Sequence, residues 1–309
     1  MLKEFEIAGY DMPCVDLAVN VDVFPKPNGG TGINAMSWQG GGKVATGMVA
    51  AARLGAKCAM IGAVGSDDYG EFCLRDFERH GIDISGMKTR QGETTSLSIV
   101  LSDRETQGRS IVYRSGTANP PTLEEIEERI LTGCQWFFIS HATHVAMESA
   151  KRAKKAGAKI IVDADSYSSE MMENIGIIDV FIASEFFYKV LFRGKEEAFE
   201  ANCREVQKMG PSIVVFTLGA KGCVGYSEED GFFQMPLCSG CAGYSGGRRC
   251  VPRRIYRRIA ARAFFQRSRS ACHGSFLHQV YQNRWQSRHS RLEYGAALFA
   301  HRGNRLYGN

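Results

Sequence analysis

The sequence predicts an α/β fold built on a buried, mostly parallel central sheet. Three observations carry that expectation. Short continuous apolar segments recur in the first 236 residues, such as QWFFIS at 135–140, KIIVD at 159–163, DVFIA at 179–183 and SIVVFTL at 212–218. Helical segments separate them, the pattern of strands covered on both faces by helices. Polar residues then stand at the strand ends: Asp163 and Asp165, Ser184 and Glu185, Thr217 and Gly219. Ligands of such sheets gather at the carboxyl ends of the strands.

FEIAG at 5–9 reads as a first buried strand, and LAVNVDVF, following Asp16, as a second that stops at Pro25. The polar, Gly-rich segment 29–39 reads as a hairpin or lid element. It leads into the stretch that organises the chain, QGGGKVATGMVAAARLG at 39–55. Gly40, Gly41 and Gly42 let the backbone turn tightly and approach a ligand closely. Lys43 follows, and Ala45, Met48, Val49, Ala51, Ala52 and Leu54 supply an apolar helix stopped by Gly55. A glycine turn entering a helix N-terminus suits polar or anionic ligand groups, and it equally suits a tight loop feeding a core helix. It is not a Walker A loop, because Ser37 and Val44 occupy positions where that motif needs Gly and Ser/Thr.

Further on, KCAMIGAV at 57–64 predicts a strand and Glu71–His80 an amphipathic helix closed by Gly81, with Ser66 or Asp67 as its N-cap. Segments 95–101 and 109–114 predict two alternating strands around a polar turn. Helices are expected over 123–131, 146–155 and 195–209.

The length of 309 residues suits one large domain or one with a small appendage. No apolar run is long enough to predict a membrane span, and the start, MLKEFEIAGYDMP, is too polar for a signal peptide. Ten cysteines without regular spacing read as reduced thiols, which predicts a cytoplasmic protein. The net charge of +5 hides a break. Residues 237–309 hold 14 Arg, no Lys, no Asp and the single acidic Glu293. That segment is +13 and the remainder −8, so the first 236 residues read as an acidic enzyme body and the rest as something else.

The order of motifs resembles the ribokinase-like (PfkB) family of sugar kinases over roughly residues 5–236. Asp16 precedes Phe24-Pro25, Gly41-Gly42-Lys43 opens a small-residue helix, and Leu54-Gly55-Ala56 closes it. Ile61-Gly62-Ala63-Val64-Gly65 with Asp67-Asp68 and Gly70 follows, then Gly81-Ile82-Asp83, Ser184-Glu185 and Thr217-Leu218-Gly219-Ala220-Lys221-Gly222. The resemblance implies a three-layer sandwich with a small β lid, its strands at roughly 12–40 and 95–115. It implies ATP and Mg2+ as cofactors, admits a monovalent cation, and implies a small-molecule sugar substrate and a homodimer paired through the lid strands. It gives Asp16 the role of accepting hydrogen bonds from sugar hydroxyls, and Gly41, Gly42 and Lys43 that of closing on the sugar. Thr46 stands where many members have Asn, and Arg114 reaches in from a lid strand. Glu185 organises Mg2+ and the phosphates, while Thr217, Gly219 and Gly222 line the nucleotide site. Each residue also has a plainer reading: Asp16 as a turn aspartate, Glu185 as a helix-start carboxylate, Thr217 and Gly219 as a strand end.

Such kinases need one more element, an Asp-Thr-x-Gly-Ala-Gly-Asp loop whose glycine amides hold the transferring phosphoryl group and whose last Asp takes the hydroxyl proton. The corresponding region reads GCAGYSGGRRCVPRR. Translated in the other forward frame, the codons of 243–255 can read Asp-Thr-Leu-Gly-Ala-Gly-Asp-Val-Phe-His-Gly-Ala-Phe. Those of 278–290 can read Ile-Lys-Cys-Thr-Arg-Ile-Gly-Gly-Arg-Ala-Gly-Ile-Pro, similar to the closing segment of sulfofructose-kinase-like members. Two motifs in order predict a frame displacement near Pro236 and a poorly folded tail. The tail's Cys238, Cys241, Cys250 and His273, and its Arg pairs, then lose their alternative readings as a zinc site or a nucleic-acid patch. The expectation is a sugar kinase by lineage that lacks its catalytic base. The alternative is a kinase-like body carrying an evolved basic, nucleic-acid-binding tail.

Overall fold

A computed structural model describes residues 3–105, 108–229 and 231–235. The expectations of an Arg-rich tail, a displaced frame and an absent phosphoryl loop fall on residues outside those described.

Thirteen strands and seven α-helices are described, in the order β1 (Phe5–Asp11), β2 (Cys14–Val21), β3 (Ile33–Gly41), α1 (Lys43–Arg53), β4 (Cys58–Gly65), α2 (Asp68–Arg79), β5 (Asp83–Arg90), β6 (Ser96–Asp103) and β7 (Arg109–Arg114). Then come α3 (Glu128–Gly133), β8 (Cys134–Ile139), α4 (His144–Lys155), β9 (Lys159–Ala164), α5 (Ser169–Glu173), β10 (Val180–Ser184), α6 (Glu185–Leu191), α7 (Phe199–Lys208), β11 (Ile213–Thr217), β12 (Cys223–Ser227) and β13 (Gly231–Met235). The larger sheet has nine strands in the order β13-β12-β11-β10-β9-β8-β1-β4-β5. Its pairs from β11 to β5 are parallel, and β12 and β13 close one edge as an antiparallel hairpin. The smaller sheet has four strands in the order β3-β2-β6-β7. The expected α/β architecture, with a large mostly parallel sheet and a second small one, is what forms.

Alternation along the strands divides the large sheet into two faces. Phe137, Ile160, Phe181, Val214 and Phe216 point to one face and pack with Ile130, Met147, Ala150, Phe187 and Val206 from α3, α4, α6 and α7. On the other face Val44 and Met48 of α1 and Phe77 of α2 cover Cys58 and Met60. Gly9 lets α1 sit close, since a Cβ there would stand 2.6 Å from Val44 Cγ1. Asp67 ties the two sheets together. One carboxylate oxygen caps α2 by accepting from Gly70 N at 2.9 Å, and the other accepts from Thr95 N at 3.0 Å, where the chain enters β6.

Several local readings need correction. The helix expected over 123–131 begins only at Glu128, because Glu125 serves Arg90 instead: two guanidinium nitrogens donate to its carboxylate at 2.7 and 2.6 Å. The helix expected from Lys195 starts at Phe199, since Lys195 O and Glu196 O accept from Asn202 Nδ2 and Tyr188 Oη. Leu54 lies past the end of α1 and is 40% exposed rather than part of its buried stripe. Strand β2 stops at Val21, short of Pro25, where its pairing with β3 slips at a bulge. Strand β5, the short helices α5 and α6 and the β12–β13 hairpin carried too little periodicity to be read. No helix among the described residues is long and apolar enough to cross a membrane.

Candidate active site

From β1 the chain moves to β4 and β5 on one side, and β8 to β11 build out on the other. The direction of winding therefore reverses between β1 and β8, and the crevice beyond the carboxyl ends of those strands is where such sheets bind ligands. Asp11 ends β1, His141 lies two residues past β8, and Asp165 follows β9.

The glycine turn lies against this crevice, and its sequence has a steric cause. Each of its three glycines backs onto a carboxylate. A Cβ on Gly40 would stand 2.7 Å from Asp76 Oδ2, one on Gly41 2.6 Å from the Asp16 carboxylate, and one on Gly42 3.0 Å from Asp11 Oδ2. Gly42 has in addition a φ of 103°, a conformation that side chains disfavour. It stands at the N-cap of α1 and offers no capping side chain. Asp11 supplies the cap from a distance: its carboxylate accepts from Ala45 N at 3.0 Å and from Met12 N at 2.9 Å. The bond from Ala45 satisfies an amide which the helix leaves open, and the carboxylate sets negative charge at the positive end of the dipole. Burial pushes the Asp11 carboxyl above its usual range, against the backbone donors and His141, which pull it down.

Lys43, the first residue of α1, reaches Asp165 Oδ2 at 3.1 Å. Burial and the Lys43 charge hold the His141 imidazole below its ordinary pKa of 6.5, while Asp11 and Asp165 act in the opposite direction. His141 is therefore mainly neutral at pH 7.

Asp16 lies on β2 directly opposite Gln39 of β3 and Ser98 of β6. Cys14 Sγ donates to Asp16 Oδ1 at 3.5 Å. Burial, and next the Asp16 charge, push that thiol well above its ordinary range, so it stays a protonated donor. Thr46 stands in the first turn of α1, where its N–H donates to Gly42 O at 3.0 Å. Arg114 is not brought together with Asp16. It pairs with Leu97, and Leu97 with Val15, which places it on the opposite face of the small sheet, with its guanidinium 6.0 Å from the Tyr69 ring of α2.

A second cluster forms at the ends of β10 and β11. Ser184 caps α6 by accepting from Phe186 N and Phe187 N at 3.1 and 3.2 Å, and its hydroxyl donates to Asp165 O. Glu185 is the next residue, paired with Lys189 at 3.6 Å. Thr217 lies opposite Ser184 in the ladder. Gly219 faces Glu185, since a Cβ there would be 3.6 Å from Glu185 Oε1. Gly219 and Gly222 take φ values of 57° and 87° and close a tight turn in which Leu218 N donates to Gly222 O at 2.7 Å. Glu185, Thr217 and Gly219 are thus neighbours, and Gly222 ends the same turn. Ser184 joins this cluster to the Lys43–Asp165 pair. Among the described residues no group of three His, Cys, Asp or Glu side chains is arranged to hold a metal alone. A lone carboxylate beside a bare glycine turn fits an ion that keeps its waters and shares phosphate oxygens, the habit of Mg2+.

Sequence reasoning passed over Asp11 and His141, and noted Asp165 only as a strand end. The signal was available: both missed residues stand at or just past the ends of buried strands, where the rule applied to β9, β10 and β11 finds ligand groups.

The pfkB family carbohydrate kinase signature matches residues 7–239. A ribokinase from Haemophilus influenzae is 30% identical over 217 residues, covering 67% of this chain and 70% of that protein. A 5-dehydro-2-deoxygluconokinase from Clostridium perfringens is 28% identical over 210 residues, and the match spans 61% of this chain but only 62% of that enzyme. The fold is similar to that of Arabidopsis thaliana ribokinase complexed with ribose and ATP, with a TM-score of 0.59 at 19% identity over 77% of this chain and 78% of that one. It is also similar to Thermotoga maritima ribokinase, with a TM-score of 0.58 at 21% identity over 76% and 78% of the two chains. By this match, the chain belongs to the PfkB family of carbohydrate kinases.

Proposed function

We propose that this chain descends from an ATP-dependent kinase acting on a hydroxyl of a sugar, sugar phosphate or sugar acid. In this reading Asp16, Gly41, Gly42, Lys43 and Thr46 hold the sugar. Glu185, Thr217, Gly219 and Gly222 hold Mg·ATP, whose metal neutralises charge on the transferring phosphoryl group. A monovalent cation is admitted by the same family. The observation that carries the reading is the joining of two strand-end clusters through Ser184, one with a lysine directly after a glycine turn and one with a carboxylate facing a glycine turn. The ribose and ATP of the Arabidopsis complex make a ternary site of this kind chemically sensible.

We further propose that the body ends near Pro236, that the small sheet is a lid, and that the chain as written lacks the catalytic Asp and its anion hole. Binding should survive that loss. A sugar that raises the melting temperature of the wild-type chain is expected to give no rise with Asp16→Ala, and an undiminished rise in that variant would remove Asp16 from the site. The six described cysteines are all free thiols, which supports a reducing, cytoplasmic setting.

Pairing of two copies through the small sheet is supported by Ile33, Met36 and Val112, which are 59%, 57% and 62% exposed on its outer strands. Light scattering should then return twice the 34.1 kDa chain mass, and Met36→Glu with Val112→Glu should return the chain mass alone. A wild-type protein of single chain mass would refute the pairing.

A further inference from the structure

Lys43 stands where helix chemistry does not favour it. It is the first residue of α1, at the positive end of the dipole, and the first turn of that helix holds no acidic residue. Its stem is long and flexible, so an unheld ammonium would swing out to water. Two carboxylates from distant parts of the chain meet this end of the helix, and they do different work. Asp11 accepts from the Ala45 amide. Asp165 meets the ammonium at 3.1 Å, and among the described residues it is the sole ion-pair partner of Lys43.

Surface ion pairs contribute little, because two mobile side chains must be ordered to make them. This pair differs on two counts. The Lys43 and Asp165 side chains are only 24% and 27% exposed, so both are partly ordered by their surroundings. Asp165 is also held from behind. Ala164 pairs with Ala183, which brings Ser184 beside Asp165. The buried Ser184 hydroxyl donates to Asp165 O while it accepts from Phe186 N and Phe187 N. A hydroxyl has one proton and two lone pairs, so all three places are used. The backbone at Asp165 is thereby fixed to the start of α6. The Lys43 charge also reaches His141, whose pKa is lowered first by burial and next by that charge, with Asp165 acting in the opposite direction. Lys43, His141 and Asp165 therefore lie within electrostatic reach of one another.

We infer that Asp165 is the positioning residue for Lys43, an inference that rests on the reading of Lys43 as a sugar contact. An ammonium has three N–H donors. Asp165 occupies one side of it, and the remaining donors are left for the hydroxyl oxygens of the sugar. Ordering the lysine stem before the sugar arrives removes that cost from the binding step.

Proton–carbon NMR on the full chain with 13C-labelled lysine reads the pose directly. A held lysine gives two separate Hε signals and a freely rotating one gives a single signal; Lys43→Arg assigns them. The wild-type chain should show two signals for Lys43, and Asp165→Asn should show one. Calorimetry with D-ribose, D-fructose, D-gluconate and D-fructose 6-phosphate then selects the tightest of the four. Asp165→Asn should bind that compound about three- to thirtyfold more weakly than the wild type, within the range of coupling between residues in contact. Should Asp165→Asn not fold, Asp165→Ala takes its place. A single Lys43 signal in the wild-type chain, or two signals that persist in the Asp165 variant, overturns the inference. If the variant frees Lys43 yet binds as the wild type does, while Asp16→Ala does not bind, positioning is refuted and the sugar-site reading stands. No binding heat from any of the four compounds in the wild-type chain removes the sugar-site reading, and the inference with it.

Discussion

Restoring the reading frame at the codons after Pro236 is expected to turn a chain with background sugar kinase activity into a working enzyme. Phosphoryl transfer asks the protein for positioning and charge stabilisation, with a base to take the proton of the attacking hydroxyl. In the proposed reading the positioning half falls to Lys43, set against Asp165, and to Glu185 beside Gly219. The restored codons would supply the Asp-Thr-Leu-Gly-Ala-Gly-Asp loop. General-base catalysis alone is worth roughly 10²–10⁴-fold, and an anion hole adds a factor of about 10²–10³.

In the chain as written, brief trypsin treatment should stop at a body ending near Pro236, while the repaired chain should resist cleavage there. Changing the last Asp of the restored loop to Asn should abolish the recovered activity. Ordinary sugar kinase rates from the unrepaired chain would overturn the missing-base argument. A repaired chain that is folded yet inert toward a broad sugar panel would overturn the kinase reading.

Much of the body was legible because its signals are local and repeated. Buried parallel strands read as apolar runs, and Gly55, Gly81 and Gly157 mark helix ends with φ values of 94°, 68° and 89°. The site was legible where one stretch carries it, as at Gly41-Gly42-Lys43. It was illegible where its parts meet only in space. Nothing near Asp11 in sequence says that it will cap a helix starting at Lys43. That contact exists because β1 lies beside β4 with Asp11 opposite Gly62, and because α1 crosses over β1. Arg114 shows the reverse failure. A basic residue on a lid strand invites a ligand role, but one step of register decides the face of a strand, and the step puts Arg114 toward Tyr69 and Tyr113 toward the side of Asp16.

That dependence on register makes Gly62→Ala the most damaging single-methyl change expected in the body. By intrinsic preference the substitution should help, since glycine inside a strand is less favourable than alanine by roughly 0.5–1 kcal/mol. The close approach of β1 reverses the sign. A Cβ on Gly62 would fall inside the contact radius of the Asp11 carbonyl oxygen, and Met87 Sδ lies 3.4 Å away on the same side. A backbone oxygen has no rotamer to retreat to, and β1 is held by parallel ladders on both edges, to β4 and β8. Relief must come from moving the end of β1. An overpacked core site costs about 1–3 kcal/mol, sometimes more, which in a domain of this size lowers the melting temperature by roughly 2–10 °C. The same movement carries the Asp11 carboxylate away from Ala45 N and loosens the start of α1, where Lys43 sits. Sugar binding should therefore fall together with stability. Gly30→Ala is the matched control, because nothing lies within 4 Å of a Cβ placed there and its φ is not in the left-handed region. It should leave both the melting temperature and the sugar response unchanged. Scanning calorimetry with and without sugar measures both effects. If Gly62→Ala melts with the wild type and keeps its sugar response, the Asp11–Gly62 register is not what fixes the glycine turn.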